Sequence, residues 1–254
     1  MITDLQRASM LKRISAWLLD AILLVITATL MALLLSAALG YDKYGDALDA
    51  RYAYYEAEYG VSRQITQAEV DAMTDAQRAN LQAASEALAR DEEANAAYNM
   101  MVQLMILITS ISIFLAYLIT EFAVPMCLKN GQTIGKKVFG IAVMRADSVR
   151  VNGVCLFIRT VLGKYTIETM IPVMLLLMLY FGAIGVTGLL IAGAVLLTGA
   201  ALLLFTREHT PIHDKLANTV TVDLASQMIF DTHADMIAYK EKEHARKAAE
   251  TAYP

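Results

Sequence analysis

Long apolar segments are the feature that most restricts how this chain can fold. The segments 14–39 and 100–125 are both longer than the about 20 predominantly apolar residues that cross a bilayer as a helix. A third segment, 169–205, contains no charged residue. It would be about 55 Å long as a single helix, which exceeds the thickness of a bilayer. We therefore predict that it forms two spans, separated at the glycines within 182–188.

These segments predict an all-α membrane protein with about four transmembrane helices. The first span would lie within residues 1–40, the second within 100–125, and the third and fourth within 169–206. The composition agrees, because 57% apolar residues and a mean hydropathy of +0.48 exceed the values of ordinary soluble domains. The lipid bilayer is therefore the first predicted partner of the chain.

Basic residues are unevenly distributed between the segments that connect the predicted spans. Residues 1–13 contain three basic residues and one acid, and residues 126–167 contain seven basic residues and one acid. Residues 41–99 show the reverse, with five basic residues and twelve acids. Because basic loops stay in the cytoplasm, we predict a multi-pass protein of the cell membrane with residues 41–99 outside. Four spans would then place both termini in the cytoplasm, whereas three spans would place the C-terminus outside.

The connecting segments differ in their predicted secondary structure. Residues 41–99 are polar, contain no proline and carry two capping-box patterns, which predicts an external helical insertion. Within 126–168, the apolar alternation around a turn at 145–148 predicts a small cytoplasmic β-hairpin. The following residues 153–164 predict an amphipathic helix lying on the membrane surface. Within 207–254, the composition of residues 218–224 predicts a third strand, and a helical tail follows.

Charged residues interrupt the apolar character of the first two predicted spans. Asp20 lies about 9 Å past the start of the first span and Glu121 about 6 Å before the end of the second, so both belong to the same half of the membrane. Arg13 precedes Asp20 by two turns on the same helix face. Such residues usually pair inside the protein. Two interpretations stay open: an ion or proton path, and a cluster that only specifies helix packing.

Three segments together resemble the RDD family of bacterial membrane proteins, which is named for one arginine and two aspartates. Residues 13–20 match the family pattern R-x-x-A-x-x-x-D. Residues 131–143 are similar to GQTxGKxxxGxxV, and Arg159 follows them as an arginine does in the family. Residues 213–222 resemble HDxxAGTxVV, with Asn218 at the position where the family usually has glycine. The resemblance covers the predicted membrane core and excludes the insertion and the tail.

The resemblance implies that Arg13, Asp20 and Asp214 are the three residues that give the family its name. All three approach the cytoplasmic side in the predicted topology, so we expect them to meet in one polar cluster. A guanidinium can bridge two carboxylates and keeps its charge at any relevant pH. We therefore expect Arg13 to be the centre of the cluster, with Glu121 and Arg159 nearby.

The remaining motifs argue against a cofactor, a metal centre or a nucleotide. Three residues separate Gly131 from Gly135, whereas a phosphate-binding loop needs four and a Ser or Thr after its lysine. Cys127 and Cys155 do not have the spacing of a zinc site. No combination of nucleophile, base and orienting group indicates an enzyme. We accordingly predict no cofactor, no metal, no nucleic-acid partner and no enzymatic activity.

Two functions from different classes remain. The first is a small transporter, as the resemblance implies, and specifically a cation/proton exchanger. In this function Asp20 and Glu121 would be the ion ligands, and Arg13 would be the competing charge. Four spans enclose only a narrow path, so this function predicts a homo-oligomer or a membrane partner protein. The second is a non-transporting membrane scaffold or partner-binding subunit whose interface is the external insertion.

Overall fold

The structure, a computed structural model, describes residues 6–62, 64–128, 130–183, 185–205 and 210–252. The predicted end of the last span at residue 206 and the start of the following segment at 207–209 lie outside the described residues. Contacts divide the chain into two compact units, which comprise residues 1–28 with 113–254 and residues 29–112.

The fold is mainly helical, as the apolar segments predict, and contains one small sheet. The described elements are α1 (Met10–Leu39), α2 (Tyr41–Tyr59), α3 (Gln67–Ala72), α4 (Asp75–Arg90), α5 (Glu92–Cys127), α6 (Ile134–Val138), β1 (Ile141–Arg145), α7 (Gly153–Tyr180), α8 (Val186–Phe205), α9 (Ile212–Leu216), β2 (Thr219–Asp223) and α10 (His233–Ala252). Among the described residues, α1, α5 and α7 are long and apolar enough to cross a membrane.

Helix α7 differs from its prediction. We expected residues 153–164 to form a separate surface helix and the third span to begin at residue 169, but one continuous helix runs from Gly153 to Tyr180. Its apolar side chains Val154, Phe157 and Leu162 are exposed, as a lipid-facing surface would be. Its polar face is buried within the protein and does not face water. The amphipathic pattern is the same in both environments, so it led us to predict a helix at the water interface.

The break after α7 occurs where the glycines predict it. Helix α7 ends at Tyr180, and Gly182 follows with a φ of 67°, a left-handed conformation that glycine adopts without strain. Helix α8 then contains 20 residues, about the number needed for one span. The total of four spans remains a prediction.

The two strands form an antiparallel sheet in which Ile141 pairs with Asp223 and Arg145 with Thr219. The predicted hairpin within 126–168 and the predicted three-stranded element are therefore both replaced by a two-stranded sheet. An isolated antiparallel bridge between Met144 and Arg150 lies where the hairpin was expected. The chain leaves the sheet directly afterwards because Asn152 caps the start of α7, its side chain accepting from the Cys155 N–H at 2.8 Å.

The unit of residues 29–112 has a small core of its own. Leu48 on α2 packs with Ala94 and Ala97 at the start of α5. Helices α3 and α4 begin at the two capping boxes, in which Thr66 and Thr74 exchange hydrogen bonds with side chains three residues later. The insertion is thus helical, as the sequence predicts.

Candidate functional site

A cluster of charged side chains, most of them buried, lies in the unit of residues 1–28 and 113–254, and we call it the charge cluster. It contains four acids and four basic residues, so their formal charges balance. Its members are Arg13, Asp20, Glu121, Lys136, Arg159, Lys164, Glu168, Asp214 and the imidazole of His213. Charges in a membrane protein are costly unless they pair inside the protein, and here they do so.

The carboxylate of Asp20, on α1, is held by the N-terminal turn of α6. The Thr133 hydroxyl and the Gly135 backbone N–H donate to its two oxygens, the second at 2.7 Å. The Lys136 ammonium lies 3.5 Å from the same carboxylate and donates to the Thr133 hydroxyl at 3.0 Å. Burial lowers the pKa of Lys136 to about 8, against the opposing attraction of Glu121. Asp20 therefore joins α1 to α6 through two hydrogen bonds and one ion pair.

The glycines of this turn are required by close approaches. Gly131 has a φ of 60°, and a Cβ there would lie 2.7 Å from Cγ2 of Val151. A Cβ on Gly135 would lie 2.8 Å from Oδ1 of Asp20 and would collide with the backbone carbonyl of Ala16. Because Ala16 is itself small and buried, α1 and α6 touch almost backbone to backbone at this point.

Arg159 on α7 and Asp214 on α9 form the second pair of the charge cluster. The Arg159 Nε donates to Oδ1 of Asp214 at 2.8 Å, and the Thr219 hydroxyl donates to the same oxygen at 2.7 Å. Burial alone would raise the pKa of Asp214, but the Arg159 guanidinium holds it well below its usual range. The Asp214 carboxylate therefore stays ionised.

His213 connects α9 to Glu168, nine residues after Arg159 on α7. Its backbone N–H and its Nδ1 contact the Glu168 carboxylate at 3.0 and 2.8 Å. Burial lowers the pKa of His213 below its ordinary 6.5, so the imidazole is neutral at pH 7 and Nδ1 carries the proton that faces Glu168. Gly163 permits this contact, since a Cβ there would lie 2.5 Å from the His213 Cβ.

Glu121 on α5 supplies the least satisfied atom of the charge cluster. Its Oε1 lies 2.6 Å from the Lys164 Nζ, and its charge also interacts with Lys136 and Arg159. Within the described residues, its Oε2 is buried and has no hydrogen-bond partner. A buried polar atom without a partner is uncommon and needs an explanation, such as an ion or water that occupies the site.

The helices are locally widened where they carry these groups. Glu121 lies in a π-helical segment of α5, Leu118–Ala123, and Arg159, Lys164 and Glu168 lie in another of α7, Ile158–Met170. The two segments contact each other, and the Thr160 hydroxyl donates to the Glu121 backbone carbonyl at 2.9 Å. Such π-helical turns are rare and occur frequently at functional sites.

The five candidate residues expected from the sequence all belong to the charge cluster, but their pairing differs from the expectation. Arg13 is half-buried and interacts electrostatically with Asp214. The short ion pair of Asp214 is with Arg159, and Asp20 has Lys136 in salt-bridge distance. The acids are thus divided among several cations, because Lys136 of α6 contacts Asp20, Arg159 of α7 contacts Asp214 and Lys164 of α7 contacts Glu121. Arg13 therefore does not hold these carboxylates alone.

Sequence analysis missed Lys136, Lys164, Glu168 and His213. The signal for Lys136 was present, because it lies within the glycine-containing segment 131–143 that defines one family pattern. Lys164 and Glu168 are four residues apart and therefore share a helix face. That face is polar within a helix that is otherwise apolar, which in a membrane protein marks a face turned toward other protein elements.

Metal-ligating side chains and cysteines are the other groups with possible chemistry. There, no group of three or more His, Cys, Asp and Glu side chains is arranged to hold a metal ion. Cys127 and Cys155 are both free thiols. The charge cluster is the candidate site because it buries charged groups and one unpartnered carboxylate oxygen.

A comparison with protein-family models connects this geometry to known proteins. The model of the RDD family matches residues 7–218, which is most of the chain and includes every member of the charge cluster. The protein belongs to the RDD family. No curated protein and no solved structure matched the chain.

Contacts within and between the three motifs explain several of their RDD residues. The alanine and aspartate of the first motif are Ala16 and Asp20, which meet Gly135 of the second motif. The aspartate of the third motif, Asp214, accepts from Thr219 of the same motif. Asn218, where the family usually has glycine, has a φ of 51°. Glycine suits this left-handed conformation best, and asparagine is among the residues that tolerate it.

Proposed function

We propose that this RDD protein is a small membrane transporter that exchanges a cation for protons at the charge cluster. The observation that carries the proposal is the Glu121 carboxylate, which is buried near several cations while its Oε2 lacks a partner among the described residues. A carboxylate oxygen is a preferred ligand for a hard cation. Intramembrane ionisable groups are also characteristic of ion and proton pathways.

The paired ammonium groups supply the competition that exchange requires. Lys164 is an intramolecular cation at Glu121, and Lys136 is one at Asp20. A cation from solution must compete with them for the same carboxylates. We therefore assign Asp20 and Glu121 as the ion ligands and give the competing role, expected for Arg13, to the two lysines.

The arrangement in the membrane is part of the proposal. Four spans, α1, α5, α7 and α8, would place both termini in the cytoplasm and residues 41–99 outside the cell membrane. The distribution of basic residues supports this orientation. Because four spans alone enclose a narrow path, the functional unit would be a homo-oligomer or a complex with a membrane partner protein.

A scaffold without transport is the second candidate, and one observation favours it. The acids Asp20, Glu121, Glu168 and Asp214 each have a cationic or imidazole partner within 3.5 Å. A balanced set of this kind can hold helices in one arrangement without binding any ion, as buried polar groups do in some proteins.

Flux through purified protein in liposomes separates the two candidates. The vesicles contain a pH-sensitive dye, and a pH gradient is imposed across their membrane. Na⁺ or K⁺ is then added to the outside solution. Transport predicts that the cation dissipates the gradient, and that Glu121→Gln and Asp20→Asn each lower the rate at least about tenfold. Glu86→Gln, on the exposed surface of α4, is the matched control and should keep the rate.

Each variant is first shown to elute as the native protein and to retain its helicity, so that unfolding is not mistaken for lost transport. A wild-type protein that leaves the gradient unchanged with Na⁺ and with K⁺ would refute exchange of these ions. Wild-type rates in folded Glu121→Gln and Asp20→Asn would refute the assignment of the ligands.

A further inference from the structure

We propose that the turn of residues 131–140 carries a binding site for an anionic phospholipid. In this site Lys137 binds the lipid phosphate, and the flanking Ile134 and Val138 contact the acyl chains. The proposal does not depend on transport, since it concerns the outer surface of the protein and not the charge cluster.

Helix α6 has an inward and an outward face. On the inward face, the Gly135 backbone N–H and the Lys136 ammonium contact Asp20 of α1. Ile134 and Val138 turn outward, with 43% and 65% of their surface exposed, and Lys137 between them is exposed as well. Two adjacent lysines therefore have opposite environments, one in the charge cluster and one on the surface.

The outward face of α6 lies next to a surface that contacts lipid in a membrane protein. Gly135 touches the backbone of Ala16 on α1. The neighbouring α1 residues Ile14, Trp17 and Leu18 are exposed large apolar side chains on a candidate membrane span. Ile134 and Val138 therefore extend a lipid-facing surface, and Lys137 provides a charge at its side.

The charge of Lys137 selects the kind of lipid. Among the described residues no carboxylate forms an ion pair with Lys137, whereas the adjacent Lys136 has Asp20. The segment 126–167 that contains Lys137 has seven basic residues and one acid. A long lysine side chain can lie along acyl chains while its ammonium reaches the headgroups, and basic residues next to a membrane attract anionic lipids.

The protein carries its own probe for this site. Trp17 is the only tryptophan of the chain, is 63% exposed, and follows the residue whose backbone touches Gly135. Lipids with brominated acyl chains quench a tryptophan that they contact. The full-length protein is reconstituted in phosphatidylcholine and phosphatidylglycerol mixtures in which one of the two lipids is brominated, and Trp17 fluorescence is measured.

We expect Trp17 quenching to show that phosphatidylglycerol occupies the site about fivefold more readily than phosphatidylcholine, the ratio equivalent to about 1 kcal/mol for one basic residue at an anionic surface. Lys137→Gln should remove this preference, and Lys137→Arg should retain it. Lys242→Gln, which removes a charge from exposed α10, is the matched control and should also retain it.

Equal quenching by the two lipids in the wild-type protein would overturn the proposal. A preference that survives in Lys137→Gln would equally overturn it, because another cation would then hold the lipid. If neither lipid quenches Trp17, this face is covered by protein, such as a second copy of the chain, and the lipid site is refuted.

Discussion

Replacing Arg159 with methionine tests whether the charge cluster is as dry and as tightly paired as the structure shows. Methionine keeps most of the length of the side chain and removes its charge and its donors. Asp214 would then remain buried, with the Thr219 hydroxyl donating to it at 2.7 Å and with Arg13 interacting with it from α1. A buried carboxylate that loses its closest cation is strongly destabilising.

The distance between the two groups sets the magnitude. At the 2.8 Å between Arg159 Nε and Asp214 Oδ1, and with an effective dielectric constant of about 20, the attraction is about 6 kcal/mol. Desolvation of both groups offsets most of this energy in the intact pair. Removing Arg159 leaves Asp214 buried without the guanidinium that pairs with it, and the charge of Arg13 and the Thr219 hydroxyl replace only part of that attraction. Arg159→Met should therefore cost about 3 to 5 kcal/mol.

The double variant Arg159→Met with Asp214→Asn distinguishes pairing from simple loss of packing. Asparagine still accepts from Thr219 but carries no charge, so the second substitution removes the uncompensated carboxylate. The double variant should therefore be more stable than Arg159→Met alone, with a coupling energy of at least about 2 kcal/mol. Arg159→Lys is the control that keeps the charge and loses the planar fork, and it should fall between the wild type and Arg159→Met.

Reversible unfolding in mixed detergent micelles, followed by circular dichroism as the denaturing detergent increases, measures these free energies. Two outcomes would refute the reasoning. Free-energy changes of the single variants that add to within about 0.5 kcal/mol in the double variant would mean that the two residues do not interact. A cost below about 1 kcal/mol for Arg159→Met would mean that water reaches the site and screens the Asp214 charge.

Three further predictions concern the turns and caps of the fold. Gly135→Ala should cost about 1 to 3 kcal/mol in the same unfolding assay because its methyl group collides with α1. Gly45→Ala on α2, where a Cβ would lie at an ordinary contact distance of 4.0 Å from Cε of Met101, should instead stabilise by about 0.5 to 1 kcal/mol. Asn218→Gly should leave the free energy of unfolding equal or higher. Asn218→Ala should lower it by about 1 kcal/mol, because a residue with a Cβ is strained at a φ of 51°. The Ala94 backbone N–H, followed by Arg51, lowers the pKa of Asp91 to about 2, so its stabilisation is present above about pH 4 and is lost as the pH falls toward 2. Asp91→Asn should remove this acid-side change in helicity, measured by circular dichroism from pH 5 to 2; an unaltered pH profile would contradict the assignment.

The existence and type of most elements could be predicted from the sequence because they depend on local composition. An apolar segment of about 20 residues has to satisfy its backbone internally, which only a helix does within a single segment. The capping boxes at Thr66 and Thr74 and the left-handed Gly182 are likewise local, since the groups that interact are a few residues apart. The membership of Arg13 and Asp214 in one cluster followed from family resemblance, which records contacts that local composition cannot.

What only the tertiary structure decided is which charge faces which. Asp20 and Lys136 are separated by 116 positions and Arg159 and Asp214 by 55, so their pairing depends on how α1, α6, α7 and α9 pack. The predicted surface helix at 153–164 failed for the same reason. A polar helix face is satisfied equally by water or by buried partners, and its sequence does not distinguish the two environments. The polar groups have buried partners here because two glycines permit close packing. Gly135 lets α6 approach Asp20 of α1, and Gly163 lets α7 approach His213 of α9. A glycine in the sequence allows such an approach, but only the packed structure shows which element makes it.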